Sequence, residues 1–278
     1  MNYQSADYVF GGNQTELQRL LVQAQGLEPE ARWLLDHIGI EDGWRAADIG
    51  CGPIGVLDLL SERVGSSGEV VGIEREERFA EMARNEIRRR ELNNVSVLLS
   101  DVLGTGLEKE SFDLIHERLV LINVPEANQK ALITEMLALL KIGGTIVLQD
   151  YDRVSYVCYP EHPSWTLLRG LYDEAFRLGG GNGATGRMLP WLLKAAGVRN
   201  VQTKVHVRTV GVGESRRTHH LSMLEVMHDK ILALGKVSET ELSDHKKALL
   251  QHLSDPDTVL IDRLLVQAWG VKPPPSRT

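Results

Sequence analysis

The stretch RAADIGCGPIG, Arg45 to Gly55, reads as a short buried strand running into a glycine-rich turn. Gly50, Gly52 and Gly55 make a literal G-x-G-x-x-G, the spacing of a turn that lets backbone approach a dinucleotide closely. Asp48 conflicts with that reading. It stands at the strand end just before the first glycine, where its carboxylate would face a pyrophosphate, itself an anion. Pro53 lacks a backbone N–H, which weakens an anion cradle further.

Outward from the turn, strand and helix patterns alternate. VLDLLSERVG reads as a helix stopped at Gly65, and EVVGIE as a strand with Glu74 at its tip. EERFAEMARNEIRRREL is a long helix, VSVLL a strand that leads to Asp101, and FDLIHE another strand. EANQKALITEMLALL is a helix and GTIVLQ a buried strand. Short apolar runs alternating with helices argue for a parallel sheet covered on both faces. Before the turn, NQTELQRLLVQAQ has Asn13 as N-cap with Glu16 behind it, and EPEARWLLDHI is a second helix.

Past residue 150 the rhythm changes. PSWTLLRGLYDEAFRL and RMLPWLLKAAG read as helices. VQTKVHVRTV alternates with period two, which marks a half-exposed strand near a sheet edge. A mostly helical stretch from about Ser215 to Leu253 precedes the last apolar segment, DRLLVQAWG.

Bulk properties narrow the class. The chain has 278 residues, 42% hydrophobic and 25% charged, and a formal net charge of −7, so a nucleic-acid backbone is repelled at long range. The cysteines, Cys51 and Cys158, make no disulfide framework and fit a reducing cytoplasm. The opening MNYQSADYVFGGNQTELQ lacks the pattern of a signal peptide. Apolar stretches are broken by charge well before the roughly 20 residues a membrane helix needs. These features predict a soluble, cytoplasmic protein without nucleic-acid or membrane partners.

A cationic ligand resolves the conflict at Asp48. S-adenosylmethionine offers an ammonium and a sulfonium and no phosphate, so it suits an acid that a pyrophosphate would meet as a repulsion. With these residues in view, AADIGCGPIG resembles the first motif of the class I S-adenosylmethionine-dependent methyltransferases. The resemblance assigns Asp48 and the loop residues Gly50, Cys51, Gly52 and Gly55 to the methionine end, with Cys51 as a small filler and not a nucleophile. It gives Glu74 the ribose hydroxyls, a placement NAD enzymes share. It gives Asp101 and the Val102 backbone the adenine. SFDLIHERLVLINVP resembles the fourth-strand motif, with Leu119 flanking the cofactor, and LLKIGGTIVLQD the turn and fifth strand.

The resemblance runs from about Trp44 to Asp152. It implies an α/β fold, a doubly wound, mostly parallel seven-stranded Rossmann-like sheet with N-terminal helices and a helical insertion before the last strand. Residues 1–43 then form a helical cap or flap, 44–152 the S-adenosylmethionine-binding core, and 153–278 the rest of the sheet with an insertion at about 211–258. Within the family, HERL at the fourth strand lacks the Asn/Asp-Pro-Pro-aromatic signature of amide and nucleobase methylation. The arginines Arg84, Arg88, Arg89 and Arg90 are interleaved with Glu81, Glu86 and Glu91, as on a salt-bridged solvent face. Glu117, Asp150 and Asp152 offer oxygen ligands, but their spacing is not that of the metal-assisted group, and no metal is assigned.

What remains resembles the methyltransferases of quinone and secondary-metabolite biosynthesis, which act on small molecules. Methyl transfer from a sulfonium is a direct displacement needing mainly alignment and exclusion of water. Candidates for proton transfer are His219, His220 and Asp150, of which the adjacent histidines can hardly both face one pocket. Tyr3, Tyr151, Trp165 and Arg187 are candidates for the substrate pocket, and Tyr8 for a flap that closes on the cofactor. The same leader could equally be a packing arm between subunits, hence a homo-oligomer. An NAD(P)-dependent oxidoreductase and a non-catalytic cofactor-binding module stand as the alternatives.

Overall fold

The computed structural model of the chain describes residues 14–275. Two helices lead in, α1 (Gln14–Gly26) and α2 (Glu28–Ile38), the latter ended by Gly39 in the left-handed conformation at φ 68°. The alternating core follows as β1 (Arg45–Ile49), α3 (Leu57–Val64), β2 (Glu69–Glu74), α4 (Glu77–Arg89) and β3 (Val95–Leu99). It continues with β4 (Phe112–Arg118), α5 (Glu126–Leu139) and β5 (Leu140–Asp152). Then come β6 (Val157–Tyr159), α6 (Pro163–Leu178), α7 (Thr185–Ala195) and β7 (Arg199–His206). The chain closes with α8 (His219–Val226), α9 (His228–Leu232), α10 (Glu239–Ser254), β8 (Val259–Ile261) and β9 (Leu264–Val271).

Seven strands form one sheet in the order β3-β2-β1-β4-β5-β9-β7. The first five pair in parallel, and β9 runs antiparallel between β5 and β7. The chain thus winds outward from β1 in one direction and from β4 in the other. Their shared border is the switch point, where an open parallel sheet forms its ligand crevice beyond the carboxyl ends of the strands.

Period-two geometry divides the strand residues between two cores. Ala46, Val70, Leu114 and Val147 pack with Leu34, Leu57, Leu60 and Ala83 from α2, α3 and α4. Ala47, Val71, Ile115 and Ile146 pack on the other face with Ile133, Met136, Leu189 and Leu193 from α5 and α7. Each strand is therefore apolar on both faces, which is why its sequence reads as a short continuous run.

A third cluster, away from the sheet centre, joins Tyr151, Tyr156, Trp165, Tyr172 and Phe176 to Met223 and Leu224. The helices α8 to α10 between β7 and β9 are the expected insertion. Arg217, 4% exposed, ties that insertion together. Its guanidinium donates to the carbonyls of Leu253, Val210 (2.6 Å), Asp255 (2.9 Å) and Thr258 (2.6 Å).

Some expectations change. The β6–β8 pair has no counterpart in the sequence reading, because three residues per strand are too few to show a period. β7 does lie at the sheet edge, yet Val205 and Val207 remain 45% and 59% exposed, so its alternation marks an edge more than a buried face. Of the four arginines expected on a salt-bridged face, only two are in ion pairs among the described residues, while Arg84 donates to the Val97 carbonyl and Arg88 to Asn85. Arg89 and Arg90 hold Glu86, and Arg90 also reaches Asp58. Among the described residues no helix is long and apolar enough to cross a membrane.

Candidate active site

The glycine turn places Gly50, Gly52 and Gly55 in the left-handed region, at φ 65°, 56° and 53°. Its donors are already committed. Gly50 and Cys51 donate their N–H groups to the Ile73 carbonyl at 2.7 and 3.2 Å, and Gly52 donates to Glu74 Oε2 at 2.8 Å. The Val56 N–H at the start of α3 goes to Asp48 Oδ2 at 3.3 Å. A pyrophosphate needs such donors free at a helix N-terminus. Here the Ile73 carbonyl and two carboxylates hold them.

Asp48 accordingly sits behind the turn and not on the cavity wall. It is 2% exposed, and its Oδ1 lies 2.7 Å from His116 Nδ1 on β4, so it braces β1, β4 and α3 together. A direct contact with the methionine end, expected from the strand position, is replaced by this supporting geometry. Cys51 likewise turns inward, its Sγ lying against Gly72 of β2, and burial pushes its thiol well up, as suits a filler. A methyl group on Gly55 would come 2.3 Å from Asp48 Oδ2 and 2.6 Å from the Cys51 carbonyl oxygen. Left-handed strain and overpacking together cost on the order of 3 kcal/mol. Gly55→Ala is therefore expected to lower the melting temperature by several degrees, and thermal denaturation checks it.

One large cavity opens over the strand tips. Gly50, Gly52, Glu74, Asp101, Val102 and Leu119 all line it, so the structure brings together six of the residues expected to bind cofactor. Glu74 is 6% exposed, and its two oxygens accept the N–H groups of Gly52 and Glu76 at 2.8 and 2.9 Å. Burial raises its pKa, while those backbone donors oppose the shift. Asp101 follows β3 and accepts the Leu103 N–H at 2.9 Å. Leu119 reaches the wall through a left-handed backbone at φ 61°, held by its N–H donating to the Gln149 carbonyl at 2.9 Å.

Beyond the switch point the wall is built from the aromatic cluster. Tyr151, Phe176, His219 and Met223 line it, together with Arg118, Arg153 and Arg263. Arg19, Leu20 and Gln23 of α1 contribute a further side. Of the histidine pair, His219 faces the cavity and His220 does not. His220 is 1% exposed and packed among Trp165, Tyr156 and Tyr172. Burial, then Arg153 and Arg263, push its imidazole down to about 3. Burial and the arginines also push His219 well below its usual range, so its ring is neutral.

Three other candidates lie elsewhere. Trp165 belongs to the packing around His220 and is absent from the cavity wall. Arg187 donates both ways to Asp152, at 2.6 and 2.9 Å, and this bidentate pair occupies its guanidinium. Asp150 is fully buried beneath the cavity floor. Tyr3 and Tyr8 lie outside the described residues. Arg118, Arg153 and Arg263 were not expected. Arginines in DRV and DRLL carry no periodic signal, and only the fold assembles them.

Asp150 and Glu117 instead form a buried acid pair at the tips of β5 and β4. Glu117 Oε1 accepts from Val120 and Leu121 at 2.6 and 3.0 Å, and Asp150 Oδ2 accepts from Ile122 at 3.2 Å. Together they hold the segment Val120–Ile122 that forms part of the cavity wall. Burial pushes Glu117 up to about 7, and burial with the neighbouring Glu117 charge raises Asp150 strongly.

A carboxyl whose folded pKa exceeds its unfolded one binds more protons when folded. Its contribution is complete below the unfolded value of about 4.5 and is lost as pH rises through about 7. The window implies a loss on the order of 3 kcal/mol between pH 4.5 and pH 8. Glu117→Gln is expected to flatten that slope in denaturant unfolding followed across this range. Among the described residues no group of three or more His, Cys, Asp or Glu side chains could hold a metal ion.

Sequence comparison places this geometry. Residues 40–174 match a family described as a methyltransferase domain. The match covers just under half of the chain, and it is this segment that is similar to a methyltransferase domain. A protein described as an uncharacterized 37.1 kDa protein in a Streptomyces fradiae transposon is 33% identical over 180 residues, 64% of this chain and 49% of that one. An aklanonic acid methyltransferase from Streptomyces sp. (strain C5) is 37% identical over 36% of this chain and 45% of its own. The chain spans about half the length of these curated relatives. A putative methyltransferase from Bacillus halodurans superposes with a TM-score of 0.59 at 15% identity, over 87% of this chain and 99% of that one. That likeness establishes the shared fold.

Proposed function

We propose that the chain transfers a methyl group from S-adenosylmethionine to a small organic acceptor, releasing S-adenosylhomocysteine. The observation that carries this is the commitment of the glycine-turn donors to Ile73 and Glu74, while Glu74 and Asp101 face the same cavity. Such a site repels a pyrophosphate and accepts hydroxyls, an amino group and cations. It disfavours the oxidoreductase alternative.

The donor set supports this cofactor. The unused lone pairs of Glu74 would take the ribose hydroxyls. Asp101 and the Val102 N–H would take the adenine edge. Arg118, which donates to the Gly55 carbonyl at 2.9 Å beside the turn, would face the methionine carboxylate. The bound cofactor supplies a methyl on a sulfonium, an already activated leaving group.

The chain itself aligns the acceptor and keeps water out, with Ile49, Val120 and Ile122 as apolar floor and Met223 and Phe176 as wall. His219 lines the cavity and would take the proton of an acceptor hydroxyl only as the methyl transfer proceeds, because burial keeps its ring a weak base. The domain's relatives include an aklanonic acid methyltransferase and demethylmenaquinone methyltransferases, which agrees with a ring-bearing metabolite as acceptor. Reaction in a cytoplasmic compartment belongs to the same proposal, as does self-association through the N-terminal segment.

Calorimetric titration with S-adenosylhomocysteine, run beside NADH and NADPH, tests the cofactor. Binding of the first alone, weakened by Asp101→Ala, is the expected result. Binding of a nicotinamide cofactor alone would overturn it. Transfer of label from methyl-labelled S-adenosylmethionine to an acceptor separates the enzyme from a binding module.

A further inference from the structure

Among the described residues, the carboxylates paired with two arginines in the far half of the cavity stand at 3.8 and 4.0 Å, long for an ion pair. Arg153 follows β5 and Arg263 precedes β9, which are neighbours in the sheet, and both arginines line the cavity. Arg263 is 6% exposed and the Arg153 side chain 11%. The Arg153 guanidinium stacks 3.9 Å from the centre of the Tyr172 ring, and that of Arg263 4.0 Å from the Tyr151 ring. Stacking fixes a guanidinium plane and leaves its edge donors available.

No carboxylate answers them at hydrogen-bond distance. Asp173 lies 3.8 Å from Arg153, and Asp262 lies 4.0 Å from Arg263. Asp262 is already engaged by Arg216 and by the Arg263 backbone N–H. The Nε atoms of both arginines are buried without hydrogen-bond partners, as are the hydroxyls of Tyr156 and Tyr172 packed beside them. Burial, and to a lesser degree the Arg263 charge, depress the pKa of Arg153, whereas burial at Arg263 is outweighed by Tyr151 and Asp262, which hold it above its ordinary value. Buried charges of one sign call for a counter-charge.

Position separates this need from that of the cofactor. From β2, which carries Glu74, to β5 is three strand steps of about 4.8 Å, or roughly 14 Å. A nucleoside with its ribose on Glu74 extends its methionine over β1 and β4, where Arg118 stands. The β5–β9 side is left for the acceptor, and its wall is apolar: Tyr151, Phe176 and Met223.

We propose that Arg153 and Arg263 bind the oxyanion of the methyl acceptor, a ring-bearing molecule that carries a carboxylate or a phosphate. The inference rests on the methyltransferase reading above. To test it, the full chain is saturated with S-adenosylhomocysteine and titrated calorimetrically with 4-hydroxybenzoate, phenyl phosphate and the neutral 4-hydroxybenzamide. At least one anion is expected to bind roughly tenfold or more tightly than the amide. Benzoate binding alone identifies a carboxylate, and phenyl phosphate binding alone a phosphate.

Arg153→Gln and Arg263→Gln are each expected to weaken that anion roughly tenfold, with the affinity for S-adenosylhomocysteine unchanged. Arg153→Lys and Arg263→Lys, which keep the charge, should restore part of it, and they serve where a glutamine variant fails to fold. Equal binding of anion and amide, or no anion binding at millimolar concentration, would overturn the proposal. So would a parallel loss of S-adenosylhomocysteine affinity, since the arginines would then serve the cofactor. Failure of the unmodified protein to bind S-adenosylhomocysteine would instead remove the methyltransferase reading.

Discussion

Glu74→Ala is expected to weaken S-adenosylhomocysteine binding by two to three orders of magnitude. Two charge-assisted hydrogen bonds to the ribose are lost, each worth about 1.5–3 kcal/mol. A second loss adds to this. In the protein the same carboxylate accepts the N–H groups of Gly52 and Glu76, so its removal frees the turn and leaves those donors without a partner. Glu74→Gln separates the two effects. Its amide oxygen still accepts one backbone N–H, whereas its NH2 group faces the other N–H without being able to accept it. Calorimetry on the three proteins should rank them as wild type, Gln, Ala. Equal affinities would show that the ribose lies elsewhere.

Arg217→Leu is expected to destabilise the insertion by roughly 4 kcal/mol or more. Four carbonyls, from Val210, Leu253, Asp255 and Thr258, lose their shared donor at a buried point, and each unsatisfied group costs about 1–3 kcal/mol before relaxation. The ends of α10 and the approach to β8 are joined at that point, so the effect should be regional. Hydrogen exchange should rise in α8 to α10 while the amides of β1, β2 and β4 stay protected. Uniform protection in all these elements would contradict the prediction.

Three acidic residues illustrate what a sequence can disclose. Glu74 was legible because a strand pattern ends on it and strand tips are where an open sheet binds ligands. Asp101 was legible for the same reason. Asp48 showed half its meaning: the acid does stand at the turn, but it accepts the Val56 N–H before α3 and holds His116 and does not line the cavity. Strand position tells which edge a residue occupies, while which way its oxygens point depends on a partner sixty-eight positions away.

The far half of the cavity was mostly hidden. Arg187 beside a glycine-rich turn looked available, and Asp152 takes it. Arg153 and Arg263, 110 positions apart, meet only because β9 inserts next to β5. The histidines were read correctly in one respect: successive helical residues diverge, and His219 alone reaches the cavity. Asp150 looked like a proton carrier because its place at a strand tip was visible and its burial was not.

The helix α1 gives the cavity a wall that is not part of the sheet. Arg19, Leu20 and Gln23 stand on it, and its end is fastened where Arg216 donates to the Gly26 carbonyl. A reactant seated on the strand tips would thus have the earliest described part of the chain along one side. Were the product to leave on that side, turnover would have a mechanical clock beside its chemical one. An acceptor that reacts quickly would find its rate set by how often this wall swings away to let the demethylated nucleoside leave.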